Sequence, residues 1–212
     1  LIFLLGFLMY WFPFTGPIAE TRILGVLQRI ALCYGIGSII AYYMHERVVM
    51  ILSAILLLLY WYLSMHFGIA GQELTMTGNA GILFDKWLMG ESHMYHGERI
   101  AFDPEGWLST LPAIVNVLVG FRVGKFIQEK GKTYEGLTHL LMWGAGFIFL
   151  GFMWNYQFPI NKKLWSSSFV MLTVGLDMVI IGTIIYRIEL QRQLQFSGFF
   201  EVFGKNPLVI YL

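Results

Sequence analysis

Apolar runs of about 20 residues recur along this chain, and no other feature constrains its fold as strongly. An α-helix rises about 1.5 Å per residue, so a run of this length reaches across the hydrocarbon core of a bilayer. Hydrophobic residues make up 57% of the sequence and charged residues 13%, whereas a soluble domain has about a quarter charged residues. The predicted class is therefore an all-α, polytopic bundle of transmembrane helices. Its five complete spans are predicted at residues 23–43, 48–67, 108–127, 137–154 and 165–186.

Partial apolar runs lie at both ends of the chain, at residues 1–12 and 199–212. The sequence also begins without an initiator Met. From these two features we expect one transmembrane domain over residues 1–212 that has been cut at both ends from a larger bundle. Residues 68–107 form the only long loop, which is polar, and within it residues 82–89 are predicted to form a short helix on the membrane interface.

The distribution of Lys and Arg among the loops predicts the orientation of the chain, because short cytoplasmic loops carry an excess of both residues. Alternate loops place seven of these residues on one side and five on the other. The long loop lies on the poorer side and is rich in Asp and Glu. We therefore predict that residues 68–107 face the periplasm or a lumen. The compact loops favour a bacterial inner membrane over a lysosomal one.

The stretch FDPEGWLSTLPAIVNVLVGF, residues 102–121, begins with an acidic turn and continues into the third span. Asp103 is predicted as the N-cap of that helix, Pro104 fits its first turn, and Glu105 places negative charge near the positive end of the helix dipole. Helix capping alone explains both carboxylates. The alternative, in which the two carboxylates also bind a polar ligand at the outer face, stays open on these residues alone.

Two arginines lie at and inside the first complete span, where ionisable residues are costly and indicate function. Arg22 and Arg29 are separated by two helical turns with Gly25 between them. This i, i+3, i+7 spacing predicts one helical face, with Arg29 about 10 Å deeper in the membrane. Gln28 lies next to Arg29, and the face suits an anionic or polyhydroxylated ligand in a polar cavity. The structural alternative is that Arg29 only pairs with a carboxylate of a neighbouring helix.

Two further polar residues lie inside the predicted spans. Asp177 is about 16 Å from the outer end of its span by the helical rise per residue. It could neutralise Arg29, take part in proton transfer or hydrogen-bond between helices, and the last, structural role is favoured. Asn116, in the middle of the third span, is predicted to hydrogen-bond between helices rather than to bind a ligand.

Several functions are disfavoured by the residues present. His93 and His96 have a spacing that metal ligands can adopt, but no Cys or third His lies near them, so we predict no metal site. Cys33 is the only cysteine, so no disulfide framework is expected. No basic tract suggests nucleic acid. No motif of hydrolases, NTPases, zincins or dinucleotide-binding proteins is present.

Five blocks of the sequence together resemble the heparan-α-glucosaminide N-acetyltransferase family and its bacterial relatives, the transmembrane glucosamine acetyltransferases. They occur in family order and cover nearly the whole chain. The blocks are RILGVLQR at 22–29, DKWLMGESHMY at 85–95, FDPEG at 102–106, PINKKLWS at 159–166 and FGKNPL at 203–208. The resemblance implies a bundle of about eleven helices. That bundle would move an acetyl group from cytosolic acetyl-CoA to the amine of a glucosamine on the luminal or periplasmic side.

The same resemblance implies roles for the polar residues at the outer face. Substrate binding would involve Arg22, Arg29, His93, Asp103, Glu105, Asn161 and Lys162. The two carboxylates and Asn161 would hold the hydroxyls and amine of the sugar. The cationic groups of Arg22, Arg29, Lys162 and Lys163 would meet phosphates or the oxyanion. The catalytic His of the family lies upstream of every residue matched here, and His93 is not assigned to that role. The chain is therefore expected to lack the catalytic residue and to be inactive alone.

A transporter of N-acetylglucosamine or a related sugar is the alternative function, because an outer polar cavity and intramembrane charges also suit permeation. Transporters often contain inverted repeats, and no convincing repeat is present here, which favours the enzyme. A purely structural membrane subunit leaves Arg29 and Asp177 without a role. The expected partners are an amino-sugar acceptor and the lipid bilayer, and a homo-oligomer is compatible with the sequence.

Overall fold

A computed structural model describes residues 1–97, 99–130, 132–193, 197–205 and 207. Within these ranges the chain is helical and contains no β-strand, which confirms the all-α class. The α-helices are α1 Ile2–Trp11, α2 Val26–Tyr43, α3 Glu46–His66, α4 Ala80–Met89, α5 Thr110–Lys130, α6 Tyr134–Asn155, α7 Ser167–Ile185 and α8 Ser197–Lys205. Short 3₁₀ turns occupy Ile18–Glu20 and Glu91–His93, and a π-helical turn, Tyr186–Leu190, continues α7.

The predicted spans are confirmed, because α2, α3, α5, α6 and α7 with its π-helical extension are long and apolar enough to cross a membrane. The first partial run is α1, a shorter apolar helix. The last partial run, 199–212, is described only as far as α8 and residue 207, and the rest of it lies outside the described residues. The helix expected within the long loop is α4, and its position on the membrane interface stays a prediction.

Helix α5 lies at the centre of the bundle and contacts α2, α3, α6 and α7. Its buried face carries Val115, Leu118 and Val119, which pack against apolar side chains of the surrounding helices. At the opposite end of the bundle from the start of α5, Glu46 at the start of α3 pairs with Arg122 of α5 at 2.8 Å. Helices α2, α5 and α7 begin at the same end, so the polar residues near their starts meet there.

Glycines allow a close backbone contact between α6 and α7. A Cβ atom on Gly175 would lie 2.7 Å from the carbonyl oxygen of Gly144 and 2.8 Å from the backbone nitrogen of Ile148. Small residues at such an interface let two backbones approach, and close packing is a main source of helix association in a membrane.

Two local predictions at the end of the bundle where α5 begins are wrong. Helix α5 begins at Thr110 and not at the acidic turn, because Arg22 binds the carboxylate of Asp103 that was expected to cap the helix. Helix α2 begins at Val26, so Arg22 precedes the helix and does not share a helical face with Arg29. The backbone of Gly25 is extended, and the N–H of Ile23 donates to the carbonyl oxygen of His93 at 3.2 Å.

The approach of α6 to α7 gives a stability prediction. Gly175→Ala should lower the free energy of unfolding by about 1–3 kcal/mol, because the new methyl group meets backbone atoms that cannot rotate away. Denaturant unfolding of the purified protein in detergent measures the effect. Gly146→Ala on α6 is the control: no neighbouring atom lies within 4 Å of its Cβ position, so this variant should be neutral or slightly stabilised. Equal losses in the two variants would contradict the close contact.

Candidate functional site

Arg22 is the centre of a charged cluster at the end of the bundle where α2, α5 and α7 begin. Its Nε and Nη2 donate to the two carboxylate oxygens of Asp103 at 3.0 and 2.7 Å, and Nη2 also donates to Glu105 Oε2 at 2.7 Å. The guanidinium lies between the rings of Tyr10 and Tyr95, with Cζ 4.8 and 4.7 Å from the ring centroids. Bidentate carboxylate pairing and cation–π contacts are among the strongest interactions available to arginine.

Electrostatics hold Arg22 in its charged form. Burial alone would lower its pKa, but the hydrogen bonds to Asp103 and the charges of Asp103 and Glu105 outweigh burial and raise the pKa. For Glu105 the balance is different, because burial and the charge of Asp103 raise its pKa despite the opposing charges of Arg22 and Arg29. Glu105 is thus more easily protonated than an ordinary glutamate.

Asp103 shapes the turn that carries the acidic residues. Its side chain is fully buried, and Oδ1 accepts the backbone N–H of Glu105 at 3.1 Å in addition to its bond from Arg22. The carbonyl oxygen of Asp103 accepts the N–H of Gly106, also at 3.1 Å. Asp side chains commonly stabilise turns by accepting a hydrogen bond from the backbone two residues further along the chain. The carboxylate therefore organises residues 103–106 as well as pairing with Arg22.

Asp85 is a further acidic residue of this region, and the sequence reasoning did not select it. It comes from α4, is 2% exposed, and its Oδ1 accepts the backbone N–H of Trp107 at 3.0 Å. Gly106 is required beside it, because a Cβ atom there would collide with Oδ2. The available sequence signal was a single acidic residue among apolar ones in a short helix, ILFDKWLM. Tertiary packing, and not this pattern, decides that the residue faces inward.

Burial raises the pKa of Asp85 to about 7, and the nearby charge of Asp103 acts in the same direction. The N–H of Trp107 and the charge of Arg29 oppose this rise. Asp85 therefore changes its charge near neutral pH, which few carboxylates do.

A small cavity of about 10 Å³ lies beside Asp85, which is room for about one water molecule. Asp103 and Ser109 line it from the turn and the start of α5, and Tyr60 lines it from α3. Lys163, whose side chain is exposed, lines it from the loop before α7. The cavity is thus a polar space at the same end of the bundle as the Arg22 cluster.

Arg29 occupies the next layer toward the membrane. Its Nη2 donates to Ser109 Oγ in a short contact, and its Cζ lies 4.6 Å from the ring centroid of Trp165. Arg29 is 6% exposed, yet its Nε and Nη1 have no hydrogen-bond partner among the described residues. The neighbouring Gln28 is fully buried, and neither atom of its amide has a partner in that part of the chain. Buried polar groups without partners are costly, so they indicate a function.

Asp177 and Asn116 lie away from this cluster. Asp177 does not neutralise Arg29; it lies on an exposed part of α7, beside a groove of about 260 Å³ that Asn116 also lines. The carbonyl of the Asn116 amide accepts from Trp165 Nε1 at 3.1 Å, and its nitrogen donates to Thr173 Oγ1 at 3.5 Å. Asn116 therefore connects α5 to α7.

The remaining candidates form contacts within the loops. His93 Nδ1 lies 2.8 Å from the carbonyl oxygen of Thr21, so this residue holds the extended segment before α2. The side-chain oxygen of Asn161 accepts the N–H groups of Lys163 and Leu164 at 2.9 and 3.3 Å and shapes its own loop. Lys162 is exposed. Among the described residues no group of three or more His, Cys, Asp or Glu side chains is arranged to hold a metal ion.

The apolar helices and the charged cluster at one end of the bundle define an integral membrane protein with a polar site at one membrane face. Comparison with known proteins then gives the relationship. The chain is 25% identical to the mouse heparan-α-glucosaminide N-acetyltransferase in an alignment 250 positions long, which covers 93% of this chain and 38% of the mouse protein. It is 29% identical to the human protein of the same name over 157 aligned residues, which cover 67% of this chain and 24% of the human protein.

These two matches confirm the resemblance as a family-level relationship. The chain spans well under half the length of either relative, so the activity of the whole protein is a matter for proposal. No protein-family model matches the chain.

The charged cluster gives a second stability prediction. Arg22→Ala should lower the free energy of unfolding by about 3 kcal/mol, because it removes the hydrogen-bonded counter-charge of the buried carboxylate of Asp103 and of the partly buried carboxylate of Glu105. Adding Asp103→Asn should restore part of the loss, and the double-mutant cycle measures the coupling. The exposed Lys86–Glu91 pair is the control, where Lys86→Ala should cost less than about 1 kcal/mol. Similar small losses of stability in Arg22→Ala and Lys86→Ala would contradict a buried pairing of Arg22 with the carboxylates.

The pKa of Asp85 gives a third prediction. Because its pKa is about 7 in the folded protein and about 4 in an unfolded chain, its contribution to stability is present below about pH 4 and is lost as the pH rises toward 7. Wild-type melting temperatures should therefore fall over this range relative to those of Asp85→Asn. The exposed Glu20→Gln variant should follow the wild type. Parallel curves for wild type and Asp85→Asn would show that the carboxyl group titrates normally.

Proposed function

We propose that the protein is a membrane-embedded acetyltransferase that moves the acetyl group of cytosolic acetyl-CoA to the amine of a glucosamine-type sugar on the outer side of the membrane. The observation that carries the proposal is the cluster at the outer end, which is built from sequence blocks that resemble the N-acetyltransferase family. The names of the mouse and human relatives state N-acetyl transfer to a glucosaminide.

The proposed reaction places definite demands on the site. The lone pair of the sugar amine attacks the thioester carbonyl carbon, a C–N bond forms, the C–S bond breaks, and CoA leaves as a thiolate. The amine loses one proton, which a base must accept, and the carbonyl oxygen becomes an oxyanion that needs hydrogen-bond donors. The site must therefore offer acceptors for the sugar and donors for the acyl oxygen or the donor's phosphates.

The residues of the two layers fit these demands. Carboxylates are the sugar-binding groups of the outer layer, and we assign Asp103 and Glu105 to its hydroxyl and amino groups. Arg29 offers the unpartnered donors Nε and Nη1 one layer deeper, where they would meet the acyl oxygen or a phosphate. We assign Arg22 to holding the carboxylates in place. The catalytic His of the family is expected upstream, so the isolated chain should bind without turning over.

The orientation is part of the proposal. Residues 68–107 carry Asp85, Asp103 and Glu105, so an outward-facing long loop puts the acceptor site outside. The excess of Lys and Arg on the opposite side supports this orientation. A bacterial inner membrane, with the long loop in the periplasm, is the proposed location.

Transfer across a membrane tests the proposal. The full-length protein is reconstituted in proteoliposomes with radiolabelled acetyl-CoA outside and glucosamine inside. Labelled N-acetylglucosamine should appear inside, and Asp103→Asn and Arg29→Ala should each lower its rate about tenfold or more, since each removes a charged hydrogen-bonding group. Glu91→Gln, at an exposed position of the same loop, should leave the rate unchanged.

Two results would count against the proposal. The absence of labelled product, together with uptake of labelled N-acetylglucosamine into empty vesicles, would indicate the transporter instead. Turnover above background by the isolated 212-residue chain would overturn the assignment of the catalytic residue to an upstream segment.

A further inference from the structure

Most polar atoms that line the small cavity beside Asp85 already form hydrogen bonds with other groups of the protein. The hydroxyl of Tyr60 donates to the carbonyl oxygen of Leu164. The hydroxyl of Ser109 donates to the carbonyl oxygen of Gly106 and accepts a hydrogen bond from Arg29. The amide of Asn79 donates to Thr75 and accepts from Ile82 at the start of α4.

Carboxylate oxygens provide the remaining hydrogen-bonding capacity. Asp85 Oδ1 accepts one bond from Trp107, and Oδ2 accepts none from the described residues, although the side chain is almost completely buried. Asp103 Oδ2 accepts only from Arg22 Nε, so it too can accept one more bond. The cavity therefore suits a small group that only donates hydrogen bonds.

The carboxylate of Asp85 is the charge at the cavity that is open to a cation. Three carboxylates, those of Asp85, Asp103 and Glu105, and three cationic groups, those of Arg22, Arg29 and Lys163, lie around it. Arg22 is occupied by Asp103 and Glu105, so Asp85 has no ion-pair partner among the described residues. The volume of about 10 Å³ matches a group of the size of one water molecule, which an ammonium group is.

We propose that this cavity is the subsite for the protonated amino group of the acceptor, with the carboxylates of Asp85 and Asp103 as its hydrogen-bond acceptors. The ligand class is a primary ammonium on a sugar. This inference rests on the proposed function, and it assigns the recognition of the amine to a residue of α4 that the sequence reasoning did not select.

A change of one atom separates ligand binding from a merely structural role of Asp85. Asp85→Asn keeps a carbonyl oxygen that can accept the N–H of Trp107, and it replaces Oδ2 with a donor that repels an ammonium group. If Asp85 only holds the turn, this variant should bind ligands as the wild type does. If Asp85 receives the amine, the variant should lose its preference for amino sugars.

The pH dependence gives a second readout. Asp85, with its pKa raised to about 7 by burial, should ionise as the pH rises, so glucosamine affinity should increase between about pH 5.5 and pH 7. The other charged or titratable groups around it are Asp103 from the turn, Arg29 from α2, Tyr60 from α3 and Lys163 from the loop before α7. Asp85→Asn leaves all four in place, so the loss of the pH dependence in this variant identifies Asp85 as its origin.

Calorimetric titration of the purified full-length protein, without acetyl-CoA, makes the measurement with glucosamine and glucose as probes. The wild type should bind glucosamine about tenfold or more tightly than glucose, and Asp85→Asn should remove most of that preference. Glu91→Gln removes one negative charge at an exposed site just after α4 and should keep the preference. The melting temperature of each variant confirms that it is folded.

Three outcomes would overturn the inference: no preference for glucosamine in the wild type, an unchanged preference in Asp85→Asn, or an equal loss of both sugars in that variant. The proteoliposome assay keeps this failure distinct from that of the proposed function. Acetyl transfer with a preference that does not depend on Asp85 refutes only the subsite. An Asp85-dependent preference without acetyl transfer refutes only the acetyltransferase.

Discussion

The pairing of Arg22 with Asp103 and Glu105 is the interaction on which the polar end of the bundle depends. It joins two segments that are about 80 residues apart in sequence, the extended strand of chain before α2 and the turn before α5. Carboxylates that are buried without a counter-charge are strongly destabilising, so the pairing stabilises the conformation of both segments. The long loop adds Tyr95 against the guanidinium and His93 against the backbone of residues 21–23, which closes this end of the bundle.

From the pairing of Arg22 with the carboxylates, a series of hydrogen-bonded polar residues extends toward the middle of the bundle. Ser109 at the start of α5 accepts from Arg29 and donates to the acidic turn, and Trp165 lies over the face of Arg29. The indole of Trp165 donates in turn to Asn116 in the middle of α5. Because unsatisfied polar groups are costly in hydrocarbon, this sequence of contacts confines the polar residues to the space between α2, α5 and α7. The glycines between α6 and α7 hold the apolar side of the bundle together.

The spans could be predicted from the sequence because the bilayer fixes the length of an apolar run, and local composition alone reveals it. The polar site could be predicted only in part, because its contacts are long-range. Asp103 has the sequence context of a helix cap, but its carboxylate binds Arg22, which is 81 residues away in the sequence. The two arginines were expected on one helical face, and the extended Gly25 separates them. Asp85 could not be predicted as a site residue, because the sequence of a short amphipathic helix does not indicate which of its faces packs against the protein.

The number of hydrogen bonds that each polar group already makes separates residues that shape the site from residues that can still bind a ligand. Arg22 donates four hydrogen bonds, to Asp103, Glu105 and Tyr10, so little of it remains for a substrate. The amide of Gln28 has no partner among the described residues. Beside it, free capacity of opposite kinds lies at two places: acceptors at Asp85, and donors at Nε and Nη1 of Arg29. Ser109 lies between them, because it lines the cavity of Asp85 and contacts Arg29 directly. An amine that needs acceptors and an acyl oxygen that needs donors have these opposite requirements. In the proposed transfer the reacting atoms would therefore meet near Ser109, between the outer turn and α2.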